Sequence, residues 1–130
     1  MTSTIGVRDT CHIRCRYQLR GEDVLGGARF DDAIAHGSYR VDTHHAHKPG
    51  TTLKYLDGTQ VSSRPGYPEE KSRWRPKTAA SPTYYQVPLR SLLPGKYGNL
   101  ILAGRMLDAD KTAFSAVRVM VNTNLPHTWP

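Results

Sequence analysis

Apolar and polar positions in the first half of the chain follow short, irregular patterns. The loose alternation over residues 12–17, which lack Gly and Pro, predicts a strand. Residues 21–25 predict a short helix that ends at the glycine pair 26–27. Residues 30–35 suit a second helical turn, and residues 38–42 suit another strand. The first half is therefore predicted to mix short strands with helical turns.

The second half divides into a proline-rich stretch and a more apolar one. Residues 57–82 contain four prolines among basic side chains, which predicts a long surface loop or linker. Residues 84–88 predict a strand closed by its proline, and residues 90–93 predict a helical turn. The apolar run 99–104, which ends in glycine, is typical of a strand buried on both faces. Residues 109–121 predict a helix, because four apolar side chains recur at helical spacing, namely Ala113, Ala116, Val117 and Met120. Asp108 and Asp110 lie at its predicted start, where a carboxylate can cap free N–H groups.

Composition limits the size of the fold. The chain has 130 residues, enough for one small domain, and an apolar content of 38% predicts a thin core. The formal net charge of +7 attracts phosphate-bearing partners. No apolar run approaches the roughly 20 residues that a membrane-spanning helix needs. A cytoplasmic protein without a membrane partner is expected.

The basic stretch contains a tryptophan and is therefore a candidate nucleic-acid-binding segment. Trp74 lies among Lys71, Arg73, Arg75 and Lys77, and such a segment can hold nucleic acid by charge and base stacking. A solvated loop explains the same residues, since no nucleic-acid-binding fold is recognisable around them. The loop is the favoured interpretation, and a small basic nucleic-acid-binding protein is the alternative.

Several histidines invite a metal hypothesis, among them His12, His36, His44, His45 and His47. A zinc site needs a defined set of four ligands. His44 and His45 are adjacent and would point to opposite faces of a strand. No carboxylate or thiol partner completes a set around His45 and His47. No metal site is predicted.

Asp42 and His44 form the first candidate site. Residues i and i+2 share one face of a strand, so this pair has the spacing of an acid–base pair. A surface hydrogen bond explains the same spacing, and the residues alone favour that simpler interpretation.

The second candidate is the predicted strand–turn–helix at Gly104 and Arg105. A helix start offers unpaired N–H groups to an anion or a carbonyl, glycine allows close approach, and arginine can bind phosphate or carboxylate. A plain tight turn with Arg105 in solvent explains the pattern equally well. The residues alone leave both interpretations open.

Long motifs nevertheless resemble one family. The motifs are Y-Q-V-P-L-R-S-L-L-P (85–94), N-L-I-L-A-G-R (99–105) and A-F-S-A-V-R-V-M (113–120), with F-D-D-A-I-A-H-G-S-Y-x-V-D-x-H-H (30–45) upstream. Together they resemble the C-terminal signature of FAD-dependent oxidoreductases of the xanthan-lyase-associated type. The resemblance implies a two-part flavoenzyme whose N-terminal half holds the FAD pyrophosphate on a G-x-G-x-x-G turn. In intact relatives, it implies hydride transfer to flavin from an organic substrate.

The resemblance also assigns roles. It implies that a closing strand and helix of the FAD-binding, Rossmann-type domain lie beside the flavin, and that Asp42 and His44 lie on the substrate side. The start of the helix would face the ribityl chain or the flavin carbonyl. The implied cofactor-side residues are Gly104, Arg105, Met106, Asp108 and Arg118.

One departure from the family pattern concerns the turn that would bind the FAD pyrophosphate. No G-x-G-x-x-G occurs in the chain, so the dinucleotide cradle is missing from these residues. The sequence therefore predicts an incomplete α+β fold, a fragment that is inactive alone and retains little FAD. Its regions are a substrate-side part (1–56), a basic linker (57–82) and the closing strand–loop–helix (83–130). A separate chain that carries the Rossmann half is the further alternative.

Overall fold

The computed structural model describes residues 13–45 and 49–119, and within them the helices and strands are short. The elements are α1 (Gly21–Gly26), β1 (Ala33–Gly37), β2 (Val41–His44), β3 (Thr51–Lys54), β4 (Thr59–Ser63), β5 (Glu70–Arg73), β6 (Tyr85–Pro88) and α2 (Lys111–Val117). Two 3₁₀ turns, Leu89–Ser91 and Gly104–Met106, lie between β6 and α2.

The described strands form two antiparallel sheets. β2, β3, β4 and β5 pair in chain order, and β1 pairs with β6 in a separate two-stranded sheet. Antiparallel sheets with two short helices make a small, open, mixed α+β structure. The predicted fold class is confirmed.

The core lies where α2 packs against β2 and α1. The apolar stripe predicted for the last helix is confirmed at Ala113, Ala116 and Val117, which are all buried. Its fourth predicted member, Met120, lies outside the described residues. The largest apolar side chains that this core buries completely are Leu19, Val24, Val41 and Tyr85.

Helix α1 begins and ends as the sequence predicts. The helix stops because Gly27 adopts the left-handed conformation, with φ of 66°. The Ala28 N–H then donates to the Asp23 carbonyl at 2.9 Å, which satisfies a carbonyl of the last turn. Glycine is the residue that accepts this conformation without strain.

The glycine pair at the end of α1 provides a matched stability test. Gly27→Ala should lower the free energy of unfolding by about 1–2 kcal/mol, because φ is positive and the new methyl group would clash with Pro82. Gly26→Ala should raise it by roughly 0.5 kcal/mol, since a β-carbon there meets nothing within 4 Å. Urea denaturation followed by circular dichroism measures both. Equal shifts for the two variants would contradict this account.

Two predictions in the first half are wrong. Residues 13–17 form no continuous strand, because their N–H groups donate to two separate segments, residues 90–93 and Asp108. Cys15 makes a single bridge to Pro94. Residues 30–35 do not form a helical turn. β1 begins at Ala33 instead, because β6 offers a strand edge and the Gln86 side chain accepts the Phe30 N–H at 2.8 Å.

The prediction that residues 57–82 lack regular structure is also wrong, since β4 and β5 lie there. Pro65 and Gly66 occupy the turn between these strands, where Tyr67 N–H donates to the Arg64 carbonyl at 3.1 Å and Gly66 has φ of 81°. Proline followed by glycine is the usual pair for such a turn. Pro65 therefore lies in the turn that joins β4 to β5. The proposed boundaries at residues 56 and 82 stay a prediction.

The apolar run 99–104 forms no strand within the described residues, and most of it is exposed. Leu102 alone in this run is buried. The last helix is shorter than predicted, because it starts at Lys111 and ends at Val117, with Arg118 as its C-cap. The predicted cap at Asp110 is confirmed, since its carboxylate accepts the Ala113 N–H at 2.7 Å.

Candidate functional site

A polar cluster joins β2 to the end of α2. Asp42 and His44 lie on one face of β2, as their spacing predicts, with Nε2 of His44 3.5 Å from Oδ1 of Asp42. Arg118 approaches from the C-cap of α2, with Nη2 3.8 Å from Oδ2 of Asp42. We call these three residues the Asp42 cluster. Sequence reasoning assigned Arg118 to the cofactor side, yet its guanidinium lies beside the substrate-side pair.

Burial differs across the Asp42 cluster. The side chains of Asp42 and Arg118 are 20% and 17% exposed, whereas that of His44 is 52% exposed. A half-exposed imidazole beside a carboxylate can exchange a proton with a bound molecule, and the carboxylate orients the ring. The partly buried guanidinium compensates the charge of Asp42. The arrangement is chemically suited to proton transfer.

The sheet extends this face away from the cluster. Asp42 pairs with Leu53, Leu53 with Val61, and Val61 with Lys71, so these four residues form one cross-strand row. Leu53 and Val61 are half-buried and lie outside the core cluster. An apolar strip with a lysine at its far end therefore adjoins the Asp42 cluster. The sequence does not predict this row, because the row depends on the pairing of strands that were not predicted.

The Gly104–Met106 turn lies on the surface. Gly104 has φ of 59°, and a β-carbon placed there would meet nothing within 4 Å. Arg105 and Met106 are also exposed. The backbone of this turn is open to close approach by another molecule.

Asp108, by contrast, is buried and engaged by the protein itself. Its carboxylate accepts hydrogen bonds from the Cys15 N–H at 2.8 Å and from Nε2 of Gln18 at 3.1 Å. Burial, followed by the negative charge of Asp108, raises the pKa of the Cys15 thiol. The carboxylate therefore ties the segment around residues 15–18 to the start of α2.

The start of α2 faces protein. Asp110 caps it and also accepts the Gly21 N–H at 2.9 Å, so one carboxylate joins the starts of both helices. Thr112 packs directly against Gly21. These contacts occupy one side of the helix start, whereas Lys111 is exposed. A flavin beside the helix start stays a prediction.

The described residues do not fit the pyrophosphate of FAD. A dinucleotide cradle needs a glycine-rich turn and a helix start with available N–H groups. The two helices of the described ranges have carboxylates at their starts, from Glu22 and Asp23 in α1 and Asp110 in α2. These negative charges repel a diphosphate. The exposed Gly104–Met106 turn could contact only a part of FAD other than its pyrophosphate.

The basic stretch is largely occupied by internal contacts. Nε1 of Trp74 donates to the Tyr55 carbonyl at 2.9 Å, and the Arg75 guanidinium stacks on the indole at 4.5 Å. The same guanidinium donates to the Leu25 carbonyl, and that of Arg73 donates to the Asp57 carbonyl, both at 2.7 Å. These side chains hold the sheet against α1.

The described residues contain neither a metal-binding group nor a membrane-spanning helix. Within residues 13–45 and 49–119, no group of three or more His, Cys, Asp or Glu side chains is placed to hold a metal ion. His12 and His47 lie outside these ranges. The helices that the structure describes are all too short and polar to cross a bilayer.

Fold and site together define a small mixed α+β protein in which a carboxylate, an imidazole and a guanidinium meet on one face of a sheet. The model of a family described as FAD dependent oxidoreductase matches residues 1–123. The chain belongs to this family of oxidoreductases, whose description implies that its relatives bind FAD. Searches of curated proteins and of solved structures returned no match.

Proposed function

We propose that this chain supplies the substrate side of an FAD-dependent oxidoreductase of the xanthan-lyase-associated type. In this proposal, the dinucleotide cradle belongs to a polypeptide outside these 130 residues. The observation that carries the proposal is the Asp42 cluster, in which one carboxylate lies between an exposed imidazole and a guanidinium. Family membership supports the flavin, and the lack of G-x-G-x-x-G supports the external cradle.

Each member of the cluster has a distinct role in this proposal. His44 accepts a proton from an organic substrate as that substrate is oxidised, and Asp42 orients the imidazole and stabilises its cation. Arg118 holds the Asp42 carboxylate in place through their ion pair. The substrate lies on the apolar strip of Leu53 and Val61. The flavin supplies the hydride chemistry when it is bound.

The Gly104–Met106 turn is the proposed contact with the cofactor. Gly104, Arg105 and Met106 are exposed, and the glycine allows close approach. Asp108 supports this turn as a positioning residue, since its carboxylate is engaged by Cys15 and Gln18. A cytoplasmic location without a membrane partner is part of the same proposal.

Nucleic-acid binding is the less favoured function. Its main candidates, Trp74, Arg73 and Arg75, make internal hydrogen bonds that a stacked base or a phosphate would have to replace. Breaking buried or partly buried hydrogen bonds costs free energy that binding must offset.

The proposal predicts that this chain alone does not retain FAD. Chain purified with excess FAD should show no flavin absorption band after desalting, because both described helix starts present carboxylates to a diphosphate. An intact relative of the same family, treated in parallel, should keep its flavin and serves as the control. A stoichiometric flavin complex of this chain would contradict the proposal of an external cradle.

A further inference from the structure

The four-stranded sheet has two chemically different faces. Val41 is buried in the core, so its side of β2 packs against the protein. Side chains alternate along a strand, and the neighbouring Asp42 therefore lies on the opposite face. Leu53 and Val61 share that face, because Asp42 pairs with Leu53 and Leu53 pairs with Val61. Both are half-buried and lie outside the core cluster. We call this side of the sheet the Asp42 face.

Positive charge is concentrated at the far strand of the Asp42 face. β5 contributes Lys71, which pairs with Val61, and Arg73, which lies two residues further on. Glu70 adjoins Lys71 and therefore lies on the opposite face. Among the fully described strands β2–β5, Asp42 is the one carboxylate on this face, and a guanidinium already pairs with it. The far strand is therefore suited to a negatively charged group.

The two cations of β5 differ in how the protein engages them. Arg73 donates from Nη2 to the Asp57 carbonyl at 2.7 Å and from Nε to the Arg75 carbonyl at 3.1 Å. Lys71 is exposed, and on the described residues its ammonium has neither an ion-pair nor a hydrogen-bond partner. Arg73 thus ties backbone segments together, whereas Lys71 is available to a ligand.

The row that joins Asp42 to Lys71 sets the length of such a ligand. Neighbouring strands lie about 4.8 Å apart, so the three steps from β2 to β5 span roughly 14 Å. Leu53 and Val61 occupy the middle of this span. A ligand that reaches from the Asp42 cluster to Lys71 is therefore elongated, apolar in its middle and negative at one end. A carboxylate fits best, because one ammonium balances its single charge but leaves part of the charge of a phosphate unbalanced.

We propose that the Asp42 face binds an elongated organic carboxylate, with its carboxylate on Lys71 and its apolar chain on Leu53 and Val61. The inference rests on the proposed function, since the Asp42 cluster defines the end at which the substrate reacts. The substrate class is a carboxylic acid that carries an alcohol or amine at the far end of an apolar chain. Lys71 is the specificity-determining residue, because it fixes which end of the substrate lies beside His44.

Binding is tested on this chain alone, without flavin. The probe is octanoate, titrated into the full isotope-labelled chain and followed by nuclear magnetic resonance. Octanoate should shift the backbone amide signals of Leu53, Val61 and Lys71. Octylammonium has the same apolar chain with the opposite charge, and acetate has the same charge without the chain. Both should bind more weakly than octanoate, and equal binding of octylammonium overturns the proposal, as does the absence of shifts on the Asp42 face.

Two substitutions locate the carboxylate and the chain. Lys71→Gln should weaken octanoate binding about threefold to fivefold, since it removes the charge and keeps most of the side chain. Val61→Thr should weaken it about threefold, because a hydroxyl replaces a methyl group under the apolar chain. Lys54→Gln is the matched control, since Lys54 adjoins Leu53 and lies on the opposite face, and it should bind as wild type. Circular dichroism spectra that match wild type show that the variants are folded. Unchanged binding by Lys71→Gln contradicts the proposal.

Two further outcomes separate this inference from the proposed function. The assay combines the chain with the FAD-bearing amino-terminal part of an intact family member and follows flavin reduction by terminally hydroxylated octanoate. If octanoate binds through Lys71 but the hydroxy acid leaves the flavin oxidised, the carboxylate site is upheld and the proposed function fails. If octanol reduces the flavin as fast as the hydroxy acid, the proposed function is upheld and the carboxylate specificity is overturned.

Discussion

Replacement of Tyr85 by alanine should lower the free energy of unfolding by about 3–5 kcal/mol. Tyr85 is the largest of the completely buried side chains and lies at the start of β6, within the core cluster. Its removal leaves a cavity that a thin core cannot refill. Urea denaturation monitored by circular dichroism measures the loss. Such a loss is a large fraction of the total stability expected of a small domain.

Two controls separate cavity formation from the loss of the hydroxyl group. Tyr85→Phe should cost only about 1 kcal/mol, because the hydroxyl lies 3.4 Å from the Ala116 carbonyl. Gly37→Ala should destabilise the wild type, since its β-carbon would lie 2.5 Å from the Tyr85 ring. In the Tyr85→Ala background, the vacated space should remove that cost. An equal cost of Gly37→Ala in both backgrounds would contradict this packing.

Local signals were sufficient where each element depends on its own residues. The stop at Gly27 follows from left-handed backbone, and the cap at Asp110 follows from a carboxylate that accepts the Ala113 N–H. β6 and the 3₁₀ turn after it were also predictable, since proline and the apolar pattern bound them. The helix stop, the cap and the turn are local features, whereas β6 was signalled locally and is completed by its pairing with β1.

Elements whose stability comes from their partners were missed. β4 and β5 contain mainly polar residues, so neither has the apolar alternation of a half-buried strand. They form because Asp57 and Gly58 turn the chain after β3 and Pro65 and Gly66 turn it after β4. The turn residues were the available signal, and the prolines were interpreted as breakers.

The apolar run 99–104 was mispredicted for the opposite reason. Its sequence favours a strand covered on both faces, yet Ile101 is 64% exposed. A sequence can specify a strand without containing the neighbours that cover it. The groups that would cover this run are absent from the described residues, which is why the pattern and the burial disagree.

The candidate site was only half predictable. The i and i+2 spacing of Asp42 and His44 was sufficient to place them on one strand face. The approach of Arg118 depends on how α2 packs against β2, which no local pattern encodes. The resemblance assigned Arg118 to the flavin side, and its contact with Asp42 became visible only in the folded chain.

Replacement of His44 by glutamine should lower the rate of substrate oxidation by about 100-fold or more in the assembled flavoprotein. The assembly combines this chain with the FAD-bearing amino-terminal part of an intact family member, and a panel of alcohols and amines is screened for flavin reduction. Glutamine keeps polar atoms near Asp42 but cannot accept a proton from the substrate. The rate of flavin bleaching in stopped flow, with the donor that reacts, is the measurement.

The neighbouring histidine is the matched control. His45 lies on the opposite face of the sheet, and its Nε2 is 2.9 Å from Oγ1 of Thr52. His45→Gln makes the same chemical change one residue away, so it should leave the oxidation rate within about twofold, since it removes no group that faces the substrate. Both variants should associate equally with the FAD-bearing part, so that a difference in rate reflects the chemical step. If both variants lost activity equally, the effect would come from the stability of the sheet edge, and the Asp42 cluster would have no special role in proton transfer.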